Sequence, residues 1–172
     1  MKLFLAVLLL LTSPLLGQNA STASDPFKAL AFLQGTWEAA TQDKAGVHVT
    51  GTYTFKPELG GHILGRHITS LTACKGPDTF DCEHSDLLYV FEERPGQPLK
   101  AIYFDNEGHV IHYSVSTPDA TMVVFLSDAS GGGPQFRLTY ELKNSIMNGK
   151  FQMHMPAQAE WKSYLEWSGT RK

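Results

Sequence analysis

The sequence lacks the motifs of the common hydrolases and of nucleic-acid-binding proteins. It contains no Gly-x-Ser-x-Gly, Ser-x-x-Lys or His-Glu-x-x-His pattern, so the usual serine-nucleophile and zinc-protease sites are absent. Lys and Arg form no cluster and the net charge is -3, so no nucleic-acid partner is expected. The Gly-rich segment 130–134 is followed by neither a Lys-Ser/Thr pair nor a helical pattern, which argues against a phosphate-binding loop. We therefore predict no catalytic residue, and an enzyme is the less favoured interpretation.

Long apolar runs are also scarce, except at the start of the sequence. Met1 and Lys2 precede an apolar segment, 3–11, that is short for a membrane span and is followed by small residues. This pattern is typical of a secretory signal peptide. Cleavage after Ala23 is favoured over cleavage after Gly17, and an uncleaved anchor is the alternative. The sequence predicts a signal peptide at 1–23 and one domain at 24–172, secreted or periplasmic, with no membrane span in the mature chain.

Cysteine is scarce as well, since the sequence has only Cys74 and Cys82. They enclose a short, turn-rich segment between two strand-like runs. In an exported protein this spacing indicates a disulfide that closes a hairpin loop. The alternative is a zinc site formed by both thiolates and His84, but zinc usually takes four ligands. We predict the disulfide and no metal.

Alternating apolar and polar residues, which are typical of β-strands, dominate from residue 48 onward. In 48–56, one face carries Val49, Gly51, Tyr53 and Phe55, and in 135–142 one face carries Phe136, Leu138, Tyr140 and Leu142. The segment 62–72 is ambiguous, because each of its faces combines apolar with polar residues.

About ten such strands are separated by short turns, and no helix is long enough to cross a sheet. This pattern predicts an all-β fold, a closed up-and-down antiparallel barrel, since closure removes the exposed sheet edges. A two-sheet Greek-key sandwich is the main alternative.

A short helical turn is predicted immediately before the first strand. Asp25 is a suitable cap, Pro26 suits the first helical position, and apolar residues recur at helical spacing up to Leu33. Gly35 allows the chain to turn from this helix into a strand, and Trp37 then requires burial. We expect this indole to pack at one end of the barrel.

The segment from Phe32 to Trp37 resembles the Leu-x-Gly-x-Trp opening of lipocalin-like and nitrobindin-like barrels of the calycin group. Together with 59–61, 103–108 and 169–172, it is most similar to an uncharacterised family of exported bacterial lipocalin-like domains. The resemblance implies a cavity for a small apolar or amphipathic molecule. It also implies that Trp37 packs beneath Arg171 in a structural cation–π contact. Nitrobindin-like members hold haem through a late His, which the last strand here lacks, so no cofactor is predicted.

Several polar and aromatic residues fall on strand faces that should point inward. Such a lining suits an amphipathic ligand with a carboxylate or carbonyl end. The candidate ligand-binding residues are Tyr53, Arg66, His67, Tyr89, Tyr103, His112, Tyr113, Tyr140 and Trp167, with Arg66/His67 and His112/Tyr113 as pairs of which one member faces inward.

Three functions remain open from the sequence. The first is a binding module for a small hydrophobic or amphipathic ligand. The second is a structural or protein-interaction domain of the cell envelope, which predicts a filled barrel and an exposed apolar patch. The third is an isomerase, hydrolase or haem-binding barrel. Catalysis would require His67 or His112 to point inward, close to a carboxylate.

Overall fold

The structure, a computed structural model, describes residues 25–41, 47–76, 82–129 and 132–172, with only the backbone at 69 and 70. The predicted signal peptide lies outside the described residues, as does part of the Gly-rich segment. A 3₁₀ turn (Lys28–Leu33) precedes ten strands, and a second 3₁₀ turn (Leu59–Gly61) separates the second strand from the third. The strands are β1 (Gly35–Thr41), β2 (His48–Glu58), β3 (Ile63–Lys75), β4 (Asp86–Phe91), β5 (Lys100–Asp105), β6 (Val110–Asp119), β7 (Met122–Ser127), β8 (Gln135–Lys143), β9 (Ile146–His154) and β10 (Lys162–Arg171).

These strands form a closed antiparallel barrel in which each strand pairs with its neighbours in sequence. β1 closes the circuit, because it pairs with both β2 and β10. Trp37 lies opposite Tyr53 on one side and opposite Arg171 on the other. The predicted fold class is therefore confirmed, and the sandwich alternative is wrong. Within the described ranges, no helix is long and apolar enough to cross a membrane.

The first 3₁₀ turn closes one end of the barrel. Leu30 and Leu33 are fully buried there, and the Trp37 indole donates a hydrogen bond to the Leu33 carbonyl (Nε1···O 2.7 Å). Arg171 covers the indole, with its guanidinium carbon 4.6 Å from the ring centroid. The guanidinium also donates to the carbonyls of Phe32 and Gln34. We call this the closed end.

Two details of the N-terminal turn differ from the sequence prediction. The 3₁₀ turn begins at Lys28 with Phe27 in the capping position, so Pro26 is not the first helical residue. Asp25 instead accepts a hydrogen bond from the Phe27 amide (2.8 Å), a local turn outside the helix. Gly35 has φ +116°, a conformation that favours glycine, and a Cβ there would lie 2.6 Å from Arg171 Nη1.

The ambiguous strand β3 turns Leu64 and Arg66 inward. Both side chains are buried, and Leu64 joins the apolar core. His67 lies on the other face, where its ring contacts Glu58 (Nε2···Oε1 2.8 Å). The polar residue that this strand brings into the barrel is therefore Arg66.

Cys74 and Cys82 form a disulfide that joins the end of β3 to the segment before β4. Both sulfur atoms are used in this bond, so the zinc alternative is wrong. The disulfide lies at the end of the barrel opposite Trp37, which we call the open end.

Candidate functional site

A cavity of about 680 Å³ occupies the half of the barrel nearest the open end. Both half-cystines and the turn between β5 and β6 contribute to its wall, whereas Trp37 does not. The volume is within the range of pockets that hold drug-sized molecules. The barrel is thus hollow at one end and packed with side chains at the other.

Aromatic and aliphatic side chains form most of this wall. Phe136 and Phe151 are stacked, with ring centroids 5.7 Å apart and planes 7° from parallel. Trp167 packs edge-on against Tyr140 at 5.6 Å. Gly149 makes room for Trp167, because a Cβ at this glycine would overlap the indole. The wall therefore offers flat ring surfaces to a guest molecule.

One group of charged side chains extends from the barrel interior to the open end. Arg66 donates to the Asp86 carboxylate through Nη2 and to the Tyr140 hydroxyl through Nη1 (3.2 Å). The side chains of Arg66 and Asp86 are only 8% and 10% exposed. We call Arg66, Asp86, His84 and Glu107 the charged cluster.

His84 connects the buried part of this cluster to the surface. Its Nδ1 lies 2.9 Å from Glu107 Oε1, and its Nε2 lies 3.1 Å from the Tyr103 hydroxyl and 3.5 Å from Asp86 Oδ2. The hydrogen bond with Asp86 raises the pKa of His84 to about 9, more than burial lowers it. His84 is therefore protonated at neutral pH.

The carboxyl group of Asp86 is ionised although it is buried. Burial alone would raise its pKa, but the charges of Arg66 and His84 and their hydrogen bonds lower it below the ordinary value. Burial also raises the pKa of each nearby tyrosine, that of Tyr140 to about 12. The phenols of Tyr53, Tyr103 and Tyr113 shift in the same direction, so all four are neutral hydroxyls at pH 7.

The raised pKa of His84 predicts a pH dependence of stability. Its contribution is complete below the unfolded pKa near 6.5 and is lost as pH rises through about 9. Because the side chain is 32% exposed, we expect a loss of only about 1 to 2 kcal/mol. Unfolding free energies of wild type and His84→Gln at pH 6 to 9.5 measure it. His112→Gln, at an exposed residue, is the control and should follow wild type.

The structure brings five of the predicted ligand-binding residues to the cavity. Tyr140 is a fully buried core residue that does not line the cavity, and its hydroxyl accepts a hydrogen bond from Arg66. The five that line the cavity are Tyr53, Arg66, Tyr103, Tyr113 and Trp167.

The prediction is corrected for His67, Tyr89 and His112, none of which lines the cavity. Strand alternation puts His112 on the outer face, because its neighbour Tyr113 is buried inside. His67 and Tyr89 pack against each other on the outside, with ring centroids 5.7 Å apart. The catalytic hypothesis required His67 or His112 to point inward, and neither does.

Sequence reasoning missed the charged cluster beyond Arg66. His84 was considered only as a zinc ligand, and Asp86 and Glu107 were not considered. The signal was present, because residues 84, 86, 88 and 90 alternate, and Leu88 and Val90 are core residues. Extending the alternation of β4 two residues backwards would have turned His84 and Asp86 inward.

Tyr164 also lines the cavity, although strict alternation from Trp167 puts it outside. The pairing of β10 with β9 shifts between Ser163 and Leu165, which is a β-bulge. A bulge changes the side to which the following residues point. Tyr164 therefore lies at the open end, 66% exposed, and packs edge-on against Phe151.

In the described part of the chain, no three His, Cys, Asp or Glu side chains converge as metal ligands. His154, the histidine considered for haem, packs against Trp161 at 5.3 Å and does not line the cavity. The histidine that enters the charged cluster, His84, is occupied by Glu107, Asp86 and Tyr103.

Comparison with known proteins assigns no family. No family model and no curated protein matches the chain. One similar solved structure is described as "Structure of EF1p2_mFAP2b bound to DFHBI". It is 11% identical, and the match covers 84% of this chain and 98% of that one, with a TM-score of 0.37. A likeness this distant carries no argument about the ligand of this chain. The protein is a ten-stranded closed barrel with a hollow, aromatic-lined end.

Proposed function

We propose that the protein binds a small hydrophobic or amphipathic molecule inside the barrel. The observation that carries this proposal is the cavity of about 680 Å³, whose wall is largely aromatic and aliphatic with a few polar groups at one side. Such a wall provides affinity through apolar contact, and the polar groups fix the orientation of the guest. We also propose that the protein acts outside the cytoplasm, because a disulfide is typical of oxidising compartments.

The second hypothesis, a structural or protein-interaction domain, predicts a filled barrel. The barrel instead contains this large cavity, which favours the binding function. Of the exposed apolar residues, Leu71, Val110 and Tyr164 line the cavity, and they are as well placed to receive an apolar guest as to contact a protein. The exposed apolar residues that do not line it are Leu59, Leu87, Phe104, Leu126, Ile146 and Met155.

Titration with diphenylhexatriene, an uncharged hydrocarbon that fluoresces in apolar surroundings, tests the proposal. We expect saturable fluorescence at one molecule per chain. Leu138→Trp adds an indole within the cavity and should reduce the affinity at least tenfold. Leu126→Trp makes the same substitution on the outer face of β7 and should leave the affinity within about twofold of wild type.

Because Leu138 is nearly fully buried, its replacement risks unfolding the barrel. Ile111→Trp is the second variant, since Ile111 lines the cavity but is only half-buried. Circular dichroism establishes that each variant is folded. Equal dye affinity in wild type and in a folded Ile111→Trp variant would refute binding in the cavity.

A further inference from the structure

Two buried polar atoms at the cavity have hydrogen-bonding capacity that the protein does not use. Among the described residues, Arg66 Nε and the Tyr53 hydroxyl are buried without a hydrogen-bond partner. Both side chains line the cavity, and each residue is only 6% exposed. Buried donors are almost always paired, so an unpaired donor on a side chain that lines a cavity favours a guest with an acceptor at that place.

These two groups lie next to the same residue. Tyr53 and Tyr140 have ring centroids 6.1 Å apart, and Arg66 Nη1 lies 3.2 Å from the Tyr140 hydroxyl. The indole N–H of Trp167 approaches the Tyr53 oxygen. An indole N–H only donates, however, so the phenolic hydrogen of Tyr53 remains available. Two side chains beside Tyr140 thus each have an unused donor, an Nε–H on Arg66 and an O–H on Tyr53.

The charge around these donors is already compensated. Arg66 and His84 are the cations of the charged cluster, and the carboxylates of the cavity wall are Asp86, Asp105 and Glu107. Each carboxylate is paired with a basic side chain. A carboxylate on the guest would therefore lie beside three carboxylates that already hold the basic side chains, and would gain no unpaired cation. This distribution favours an uncharged acceptor.

The walls beside the donors are flat and aromatic. Phe136 and Phe151 present parallel rings, and Trp167 lies deeper in the cavity against Tyr140. Flat rings favour contact with another flat or conjugated body over contact with a bulky aliphatic one. The donors and the walls together describe one ligand class.

We propose that the ligand is an uncharged aromatic or conjugated carbonyl compound whose oxygen accepts hydrogen bonds from Arg66 Nε and the Tyr53 hydroxyl. This inference rests on the proposed function and narrows it. The sequence allows either a carboxylate or a carbonyl end on the ligand, and this inference favours the carbonyl end. The class includes aromatic ketones and excludes fatty acids as preferred ligands.

Three naphthalenes of nearly equal size test the proposal, each measured by displacement of diphenylhexatriene at pH 7.5. They are 2-acetylnaphthalene, 2-naphthoate and 2-isopropylnaphthalene, which differ in whether the side group is a ketone, a carboxylate or a hydrocarbon. We expect the ketone to bind about tenfold more tightly than the hydrocarbon, the gain from a hydrogen bond with a charged donor. The carboxylate should bind at least tenfold more weakly than the ketone.

Two variants link the preference to the named atoms. Tyr53→Phe removes the free hydroxyl and should weaken ketone binding about fivefold, with hydrocarbon binding within twofold of wild type. Arg66→Lys keeps a cation beside Asp86 but removes the Nε–H. It should also reduce the preference for the ketone over the hydrocarbon. Tyr89→Phe is the matched control, because its ring packs against His67 on the outer face and does not line the cavity. It should change neither affinity.

The outcomes separate this inference from the proposed function. If diphenylhexatriene does not bind wild type, the proposed function itself fails. If the dye binds but the three naphthalenes displace it equally, the two donors bind only water and the inference is wrong. Tightest displacement by 2-naphthoate would also overturn it, since the cavity would then recognise an anion.

Discussion

Asp86→Ala is expected to lower the free energy of unfolding by about 3 to 5 kcal/mol, the cost of removing one partner from a buried ion pair. The Arg66 side chain is only 8% exposed in the native protein, and in the variant its guanidinium has no counter-ion. Arginine does not lose its proton in proteins, so the site has no neutral form to adopt. Urea unfolding followed by tryptophan fluorescence measures the change.

Two further variants make this result specific to an unpaired buried charge. Glu93→Ala breaks the exposed pair between Glu93 and Lys100 (3.1 Å) and should cost less than about 1 kcal/mol. The double variant Arg66→Met, Asp86→Leu removes both charges and should regain most of the lost stability, because apolar residues replace buried ion pairs well. If Asp86→Ala unfolds at the wild-type midpoint, the pair is not buried as described.

Trp37→Ala is expected to cost about 4 to 5 kcal/mol, because it removes the largest fully buried side chain of the closed end. The substitution leaves a void beneath the 3₁₀ turn. It also removes the indole N–H that donates a hydrogen bond to the Leu33 carbonyl (2.7 Å). Thermal and urea unfolding measure the loss. We expect the dye-binding cavity to survive at low temperature, since Trp37 does not line it.

A second tryptophan, Trp161, provides a comparison for Trp37→Ala. Trp161 also lies beneath an arginine, with the Arg137 guanidinium carbon 4.3 Å from its ring centroid, but it is only half-buried on the barrel surface. Trp161→Ala should therefore cost about 1 kcal/mol. Similar losses in the two variants would mean that the cation–π contact, rather than burial, determines the cost at Trp37.

Alternation in sequence was enough to predict the barrel and much of its interior. In β8, Leu138 and Tyr140 alternate with polar residues, and both are buried as the pattern requires. The predicted order of strands also holds, because short turns leave each strand few partners other than its neighbours. Local periodicity therefore determines both which faces are buried and which strands pair.

The polar side of the cavity was less predictable, since its geometry depends on contacts between distant parts of the chain. Arg66 enters the interior only because Asp86, twenty positions later, compensates its charge. Alternation within β3 alone cannot distinguish Arg66 from His67 as the inward residue. The position of Tyr164 at the cavity was unpredictable for another reason, since the bulge in β10 arises from pairing with β9 and leaves no mark in the local pattern.

The position of Lys172 has a practical consequence for experiments on binding. Lys172 is held at the closed end, where its amide donates to the Thr36 carbonyl (2.9 Å) next to the Arg171 contacts. A biotin tag or a fused reporter attached there would project away from the disulfide and from the open end. Molecules tethered to a sensor chip by this residue would all present the open end of the cavity to the flowing solution.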